Sequence, residues 1–168
     1  MSAEIPSNPF AILSLIVAPA ILTNASSVLI MSTSNRLARV VDRARELSKQ
    51  LEADSDWKSP TATRRLRELA AAEERTLLLL KGLRSFYVTL GAFAFAALLS
   101  LLGAVLVPFE TTAIIMIAEM AGVVAGVAAV AGLMNGSRLL LKETRIAVQV
   151  LSARTSGLRA RVDEMTNI

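Results

Sequence analysis

The hydrophobic positions of this chain gather into three long runs, Phe10–Met31, Phe86–Val107 and Thr111–Met134. Each has the roughly 20 residues needed to cross a bilayer as a helix. Between and after them the pattern turns amphipathic. Leu37, Val40, Ala44, Leu47 and Leu51 recur at alternating three- and four-residue spacing, as in a coiled-coil seam. Leu66, Leu69, Thr76, Leu80 and Leu83 form a second seam, and Leu140, Ala147, Leu151, Leu158 and Val162 a third. Nothing between Met31 and the polar turn at Asp54–Lys58 stops a helix, so the first run and the first seam read as one element.

The helix boundaries carry their own signals. Asn8-Pro9 and Ser59-Pro60 each place a capping side chain before a proline at the first helical position, where the missing N–H is not needed. Pro108-Phe109-Glu110 reads as a tight turn between the second and third runs. The predicted fold is all-α: a single membrane domain over 1–168, with spans at about 10–31, 86–107 and 111–134. These continue into a cytoplasmic, coiled-coil-like bundle made of a helical hairpin (34–85) and a C-terminal helix (137–165). At about 1.5 Å per residue each helix would be on the order of 70–80 Å long. The turn near Trp57 pairs the first two helices antiparallel, which places Arg39 near Arg75 and Glu74, and Val41 near Glu73.

Charge orients this arrangement. All eighteen Lys and Arg lie in two blocks, Arg36–Arg84 and Arg138–Arg161. Basic residues collect on the cytoplasmic side of membranes, so the N-terminus is expected outside and the C-terminus in the cytoplasm. The leader Met1–Asn8 has no positive segment, and the first span is expected to be retained. The net charge of +4 also raises nucleic-acid binding, but the basic residues are interleaved with acids and have almost no aromatic company. The partners expected are the lipid bilayer and other membrane proteins, not nucleic acid. Arg36, Arg39 and Arg43 leave the first span on one side and are candidates for holding anionic lipid, each worth about 1 kcal/mol near such a surface.

Candidate chemistry is sparse. The chain has no histidine and no cysteine, which removes imidazole bases, thiolates and the usual zinc, haem and iron–sulfur ligands. Glycines are scattered through helices and form no phosphate loop. No catalytic residue, cofactor or metal site is predicted, and the chain is expected not to be an enzyme. The intramembrane polar candidates are Glu119, Asn24 and Pro19. Pro19 should free the carbonyl of Leu15 and kink the first span. Glu119 is the one charge-capable side chain inside a span, a functional candidate by default. It lies level with Ala18 and Pro19, so a protonated Glu119 donating to the Leu15 carbonyl is preferred to a proton or cation site. Thr23, Asn24, Ser26 and Ser27 read as helix–helix contacts or back-bonding to the backbone rather than a transport path.

The third span holds Ala118, Ala121, Gly122, Ala125, Gly126, Ala128, Ala129 and Gly132 within an arc of roughly 160°. Small residues let membrane helices approach closely, so Gly122, Gly126 and Gly132 are the helix-packing candidates. Either the other two spans nest there, or a second copy of the protein does.

Asn8-Pro9-Phe10, Ala18-Pro19-Ala20 and the arginine-rich block from Asn35 to Leu47 (Asn35-Arg36-Leu37-Ala38-Arg39-Val40-Val41-Asp42-Arg43-Ala44-Arg45-Glu46-Leu47) resemble a family of small bacterial three-span membrane proteins labelled as a domain of unknown function. The likeness is clearest in the first third and looser across the second and third spans. It implies the membrane layout and brings no activity, substrate or catalytic residue. Two functions remain. The preferred one is a non-enzymatic oligomeric scaffold or accessory subunit of a membrane complex, whose helical stalk holds partners. The other is an oligomeric ion or small-solute channel lined by Thr23, Asn24, Ser27 or Glu119, although a pore needs a polar stripe along a whole span.

The absence of cysteine makes the topology directly measurable. Single cysteines at Ser2, Ser55, Thr111 and Thr166 are expected to divide into two classes in intact cells. An impermeant thiol reagent should modify the first and third and spare the other two. Labelling of Ser55→Cys would invert the topology.

Overall fold

The computed structural model describes the backbone of residues 9–54, 56–106 and 112–166, and within these the side chains other than 9–20, 100, 103–106, 112–115, 119, 158, 160, 161 and 163–166. Three helices account for nearly all of it: α1 (Pro9–Glu52), α2 (Pro60–Leu106) and α3 (Thr112–Thr166). No strand occurs among the described residues. The helical backbone of α1 runs unbroken past Pro19, as the merged span-and-seam pattern requires. The stretches Pro60–Leu99 and Met116–Gly157 are long and apolar enough to cross a membrane, with mean hydropathies of 1.5 and 1.9 over their most apolar 18 residues. The expected turn at Pro108–Glu110 and the cap at Asn8 lie outside the described residues.

The connection from α1 to α2 follows the cap-and-proline logic. The last turn of α1 tightens, with Ala53 N–H donating to the Lys49 carbonyl (3.1 Å) and Asp54 N–H to that of Leu51 (3.2 Å). Lys49 sits in that turn, where a cation opposes the negative end of the helix dipole. Asp56 Oδ1 then accepts from Lys58 N–H at 3.0 Å, an Asx turn. Ser59 Oγ accepts from Ala62 N–H at 3.0 Å, and Pro60 opens α2. That is the N-cap geometry its sequence announces.

The chain divides into two compact units, one of residues 1–31 and 84–135, the other of 32–83 and 136–168. In the first unit α2 and α3 are antiparallel: Ser85 meets Gly132, and further along Leu99 approaches Gly122. Phe86, Thr89 and Phe93 of α2 and Ala129 of α3 are buried, at the three- and four-residue steps of a packed seam. A Cβ at Gly132 would stand 2.5 Å from Thr89 Oγ1, so any side chain there would displace that hydroxyl. Ser85 Oγ donates to the Gly132 carbonyl (2.8 Å) and accepts from Asn135 Nδ2 (3.3 Å). Thr89 Oγ1 donates to the Ser85 carbonyl at 2.9 Å. On α1, Ser27 Oγ donates to the Thr23 carbonyl at 3.0 Å, and Ser26 is buried with its hydroxyl unpartnered.

In the second unit Val40, Ala72 and Leu79 form a core against which Leu37, Ala44 and Leu140 pack. Leu47, Leu51 and Ala62 are buried nearer the α1–α2 turn. The α1 seam is the one the sequence predicts. The α2 seam is met in part: Leu69, Thr76 and Leu83 are half-buried as expected, but Leu66 and Leu80 are exposed, and the buried line is rotated by about one residue onto Ala72, Leu79 and Gly82. The run Leu77–Leu80 suits any helical phase, and at Gly82 an added Cβ would stand 3.8 Å from the Gly136 carbonyl oxygen and from Leu139 Cβ, so the helices pack closely there. On α3, Leu140 and Ala147 are half-buried as expected, but Leu151 and Val162 are exposed. Leu158 lies outside the described side chains.

Two glycines of the first unit should respond oppositely to the same change. Gly132→Ala drives a methyl into Thr89 and is expected to cost about 1–3 kcal/mol. Gly126→Ala meets nothing within 4 Å and gains helix propensity, so it should be neutral or mildly stabilising. Thermal unfolding in detergent measures both. Adding Thr89→Ala should recover much of the Gly132→Ala loss, and no recovery would place the clash elsewhere.

Candidate functional site: a carboxylate shared by three helices

Glu143 stands on the packed line of α3, between the half-buried Leu140 and Ala147, where a seam ordinarily places an apolar residue. It is 2% exposed. An ionised carboxylate out of water is tolerated only when paired and hydrogen-bonded. Two helices supply the pairing. Arg75 of α2 reaches Oε1 through Nη2 at 2.7 Å and through Nε at 2.8 Å. Arg36 of α1 approaches Oε2 at 3.4 Å and also donates to Thr144 Oγ1 at 3.4 Å. Both arginines keep part of their side chains in water, so the cluster is buried at its acid and open at its bases.

The geometry fixes register more than it adds stability. A buried ion pair roughly balances its own desolvation, whereas a buried charge left alone is strongly unfavourable. Sliding α2 by one turn, about 5.4 Å, would strip Glu143 of its nearer partner. Further ion pairs hold the α1–α2 hairpin: Arg43 to Glu68 (3.1 Å), with Arg64 on the same carboxylate (3.3 Å), and Arg65 to Asp54 (2.8 Å). Beside them a groove of about 300 Å³ is floored by Leu47, Ala72 and Val150 and edged by Arg75, Leu151 and Arg154.

The expected site residues are distributed rather than gathered. Arg36 and Arg43 are engaged in the ion pairs just described, and Arg39 Nε donates to the Asn35 carbonyl at 3.2 Å. Glu73 and Glu74, placed by register near Val41 and Arg39, are exposed, because the buried line of α2 passes through Ala72, Arg75 and Leu79 instead. Asn24 is exposed. A Cβ at Gly122 would stand 4.0 Å from Leu99 Cβ at its nearest, one at Gly126 would meet nothing within 4 Å among the described residues, and Gly132 is the tight contact. The side chains of Glu119, Pro19 and Leu15, and with them the expected Glu119–Leu15 hydrogen bond, lie outside the described residues. No group of acidic residues that could hold a metal ion occurs among the described residues. Glu143 and Arg75 were not singled out from the pattern of the sequence. Their signal is a charge standing at seam spacing, at 72, 75, 79 on α2 and 140, 143, 147 on α3.

The family model described as protein of unknown function, DUF2721, matches residues 16–153, the stretch that holds Arg36, Arg75 and Glu143. No curated protein and no solved structure matches the chain.

An asymmetry between single substitutions tests the cluster. Arg75→Met leaves Glu143 buried beside the longer Arg36 contact and is expected to cost on the order of 3 kcal/mol of unfolding free energy. Glu143→Leu leaves two arginines that can turn to water, and should cost about 1 kcal/mol or less. The double variant should be more stable than Arg75→Met alone, a coupling read from denaturant unfolding in detergent.

Proposed function

The chain belongs to DUF2721, a family of proteins of unknown function, and from that premise we propose a non-enzymatic integral membrane protein that acts as an oligomeric scaffold or accessory subunit of a membrane complex. It spans the bacterial inner membrane three times, at about 10–31, 86–107 and 111–134, with its N-terminus outside. The hairpin 34–85 and the helix 137–165 form a coiled-coil-like bundle in the cytoplasm. One observation carries this reading. A helix as apolar as α3 is a core element in a soluble protein, yet only 6% of its most apolar stretch is buried. Ile117, Met120, Val123, Val124 and Val127 are all exposed. Surface of that kind calls for lipid or another protein to cover it.

Self-association is supported by Gly122 and Gly126. Among the described residues an added Cβ at the former would meet Leu99 at 4.0 Å and one at the latter nothing within 4 Å, which supports close approach by a second helix. The hydroxyls of Ser27, Ser85 and Thr89 satisfy backbone carbonyls. That favours a scaffold over the alternative of an ion or small-solute channel built on Thr23, Asn24, Ser27 and Glu119. Of the three arginines suited to anionic lipid, Arg39 is the one without a carboxylate partner among the described residues, and a headgroup there would be held by it.

Purified protein in mild detergents is expected to run as a homo-oligomer, and Gly122→Leu with Gly126→Leu should shift it toward monomer. Liposomes containing the unmodified protein should show no selective ion flux. A monodisperse monomer in several detergents would refute the assembly. A selective current would replace the scaffold with the channel.

A further inference from the structure

The charged residues of α3 between Gly136 and Val162 are Arg138, Lys142, Glu143, Arg145, Arg154, Arg159 and Arg161. The only acid among them is the buried Glu143, already held by Arg36 and Arg75. Every exposed charge described on this stretch is therefore basic, and Arg145, Arg154 and Arg159 have no carboxylate partner among the described residues. The same stretch exposes a second seam beside the one it buries. Leu141 is 65% exposed, Val148 59% and Leu151 64%. With the exposed Thr144 and Thr155 they complete the steps 141, 144, 148, 151, 155, the alternating spacing of a helix that packs against another helix. Arg145 and Arg154 flank that line, and Leu151 and Arg154 edge the groove in which Leu47, Ala72 and Val150 lie.

We propose that this face of α3 docks an acidic amphipathic helix of a partner protein. The inference deepens the scaffold reading and rests on it, by assigning the surface that holds a partner and the chemistry of what it holds. Charge complementarity decides the occupant. A second copy pairing through the same seam would set the flanking arginines against one another in either helix direction, which is unfavourable. The α1–α2 hairpin of a second copy is no better, since residues 32–83 carry eleven basic side chains and eight acidic ones. A lipid surface is reached by a broad apolar face rich in aromatic and large aliphatic side chains. Here the stripe is narrow, has no aromatic residue and includes two threonines. A helix with Leu, Ile or Val at heptad spacing and Asp or Glu on both sides of them fits instead. Its apolar edge would cover Leu141, Val148 and Leu151, and its carboxylates would meet Arg145 and Arg154.

The test uses the full chain in nanodiscs of neutral lipid and fluorescent helical peptides. One peptide has leucine at heptad spacing flanked by glutamate, a second has the same composition scrambled, and a third has lysine for glutamate. The first is expected to bind roughly tenfold or more tighter than the other two, with affinity falling as salt rises. Leu151→Ser should weaken it, and Arg145→Glu with Arg154→Glu should transfer the preference to the lysine peptide. These side chains are exposed, so the variants should fold, and helix content checks that they do. Equal binding of the scrambled peptide, or a preference unmoved by charge reversal, overturns the proposal. So does efficient disulfide formation between two copies of Leu151→Cys, or shielding of that cysteine from labelling by anionic vesicles. These results leave the scaffold reading standing. Ion flux in liposomes would remove that reading without altering the peptide measurements.

Discussion

A carboxylate shut away from water has to be neutralised where it lies, and for Glu143 this requires a side chain from each of the other two helices. Neither arginine satisfies both oxygens. Arg75 is fully committed to Oε1, through two nitrogens, and Oε2 is left to Arg36. The three helices of that unit are therefore coupled through one group. A shift of α1 or α2 along its axis by one turn would still set Leu and Ala against Leu and Ala over part of the seam. It would orphan a charge. Apolar seams of low information content admit neighbouring registers, and a single buried polar residue excludes them. Glu143 has that relation to Ala72, Leu79 and Leu140, which supply the packing and could supply it in more than one register.

The other unit reaches specificity by a different route, suited to surroundings where apolar burial gives no preference for one partner over another. Its α2 and α3 contain no ion pair among the described residues. They are matched by shape, with Gly132 against Thr89, and by hydroxyls reaching a backbone carbonyl across the gap. The two features depend on each other. Ser85 can hydrogen-bond the Gly132 carbonyl because no side chain on α3 holds the backbones apart at that point. Close approach and polar contact are the terms available to helices in lipid, and both are spent at one crossing.

How much of this was legible in the sequence differs from helix to helix, for physical reasons. The helices themselves, the Ser59-Pro60 cap and the α1 seam were readable because each rests on local chemistry or on large apolar residues at clear spacing. The α2 seam was read about one residue out of phase. Four consecutive leucines carry no phase information, and the residues that do, Ala72 and Gly82, are weak hydrophobic signals whose importance is steric. Glu143 was passed over because a charge in a charged helix is ordinarily solvated. What distinguishes it is position: it interrupts an apolar line at the point where Arg36 and Arg75 can converge, and that convergence is a tertiary fact. Gly132 was singled out with Gly122 and Gly126, but the sequence could not rank the three. Only the neighbour differs, Thr89 in one case and open space in another.

The basicity of the protein is not a property of the whole chain. From Gly136 to Val162 there are six basic residues and one acid, a surplus of five where the entire sequence has a net charge of +4. The rest of the molecule is thus close to neutral, with twelve basic and thirteen acidic residues, and several of its arginines are paired, as Arg43 is with Glu68 across the hairpin and Arg65 with Asp54 in the turn. Matched charges of that kind are accounted for by folding. An unmatched set on one helix is not, since like charges a turn or two apart destabilise the helix that carries them by a few tenths of a kcal/mol each. The cost is recovered only when something of opposite sign lies against that face. The apolar side chains interleaved with those arginines point the same way, because exposed leucine and valine at heptad spacing likewise contribute nothing until a second helix covers them. Two independent imbalances, one of charge and one of apolar surface, coincide on the same residues of α3, and a single acidic helix resolves both.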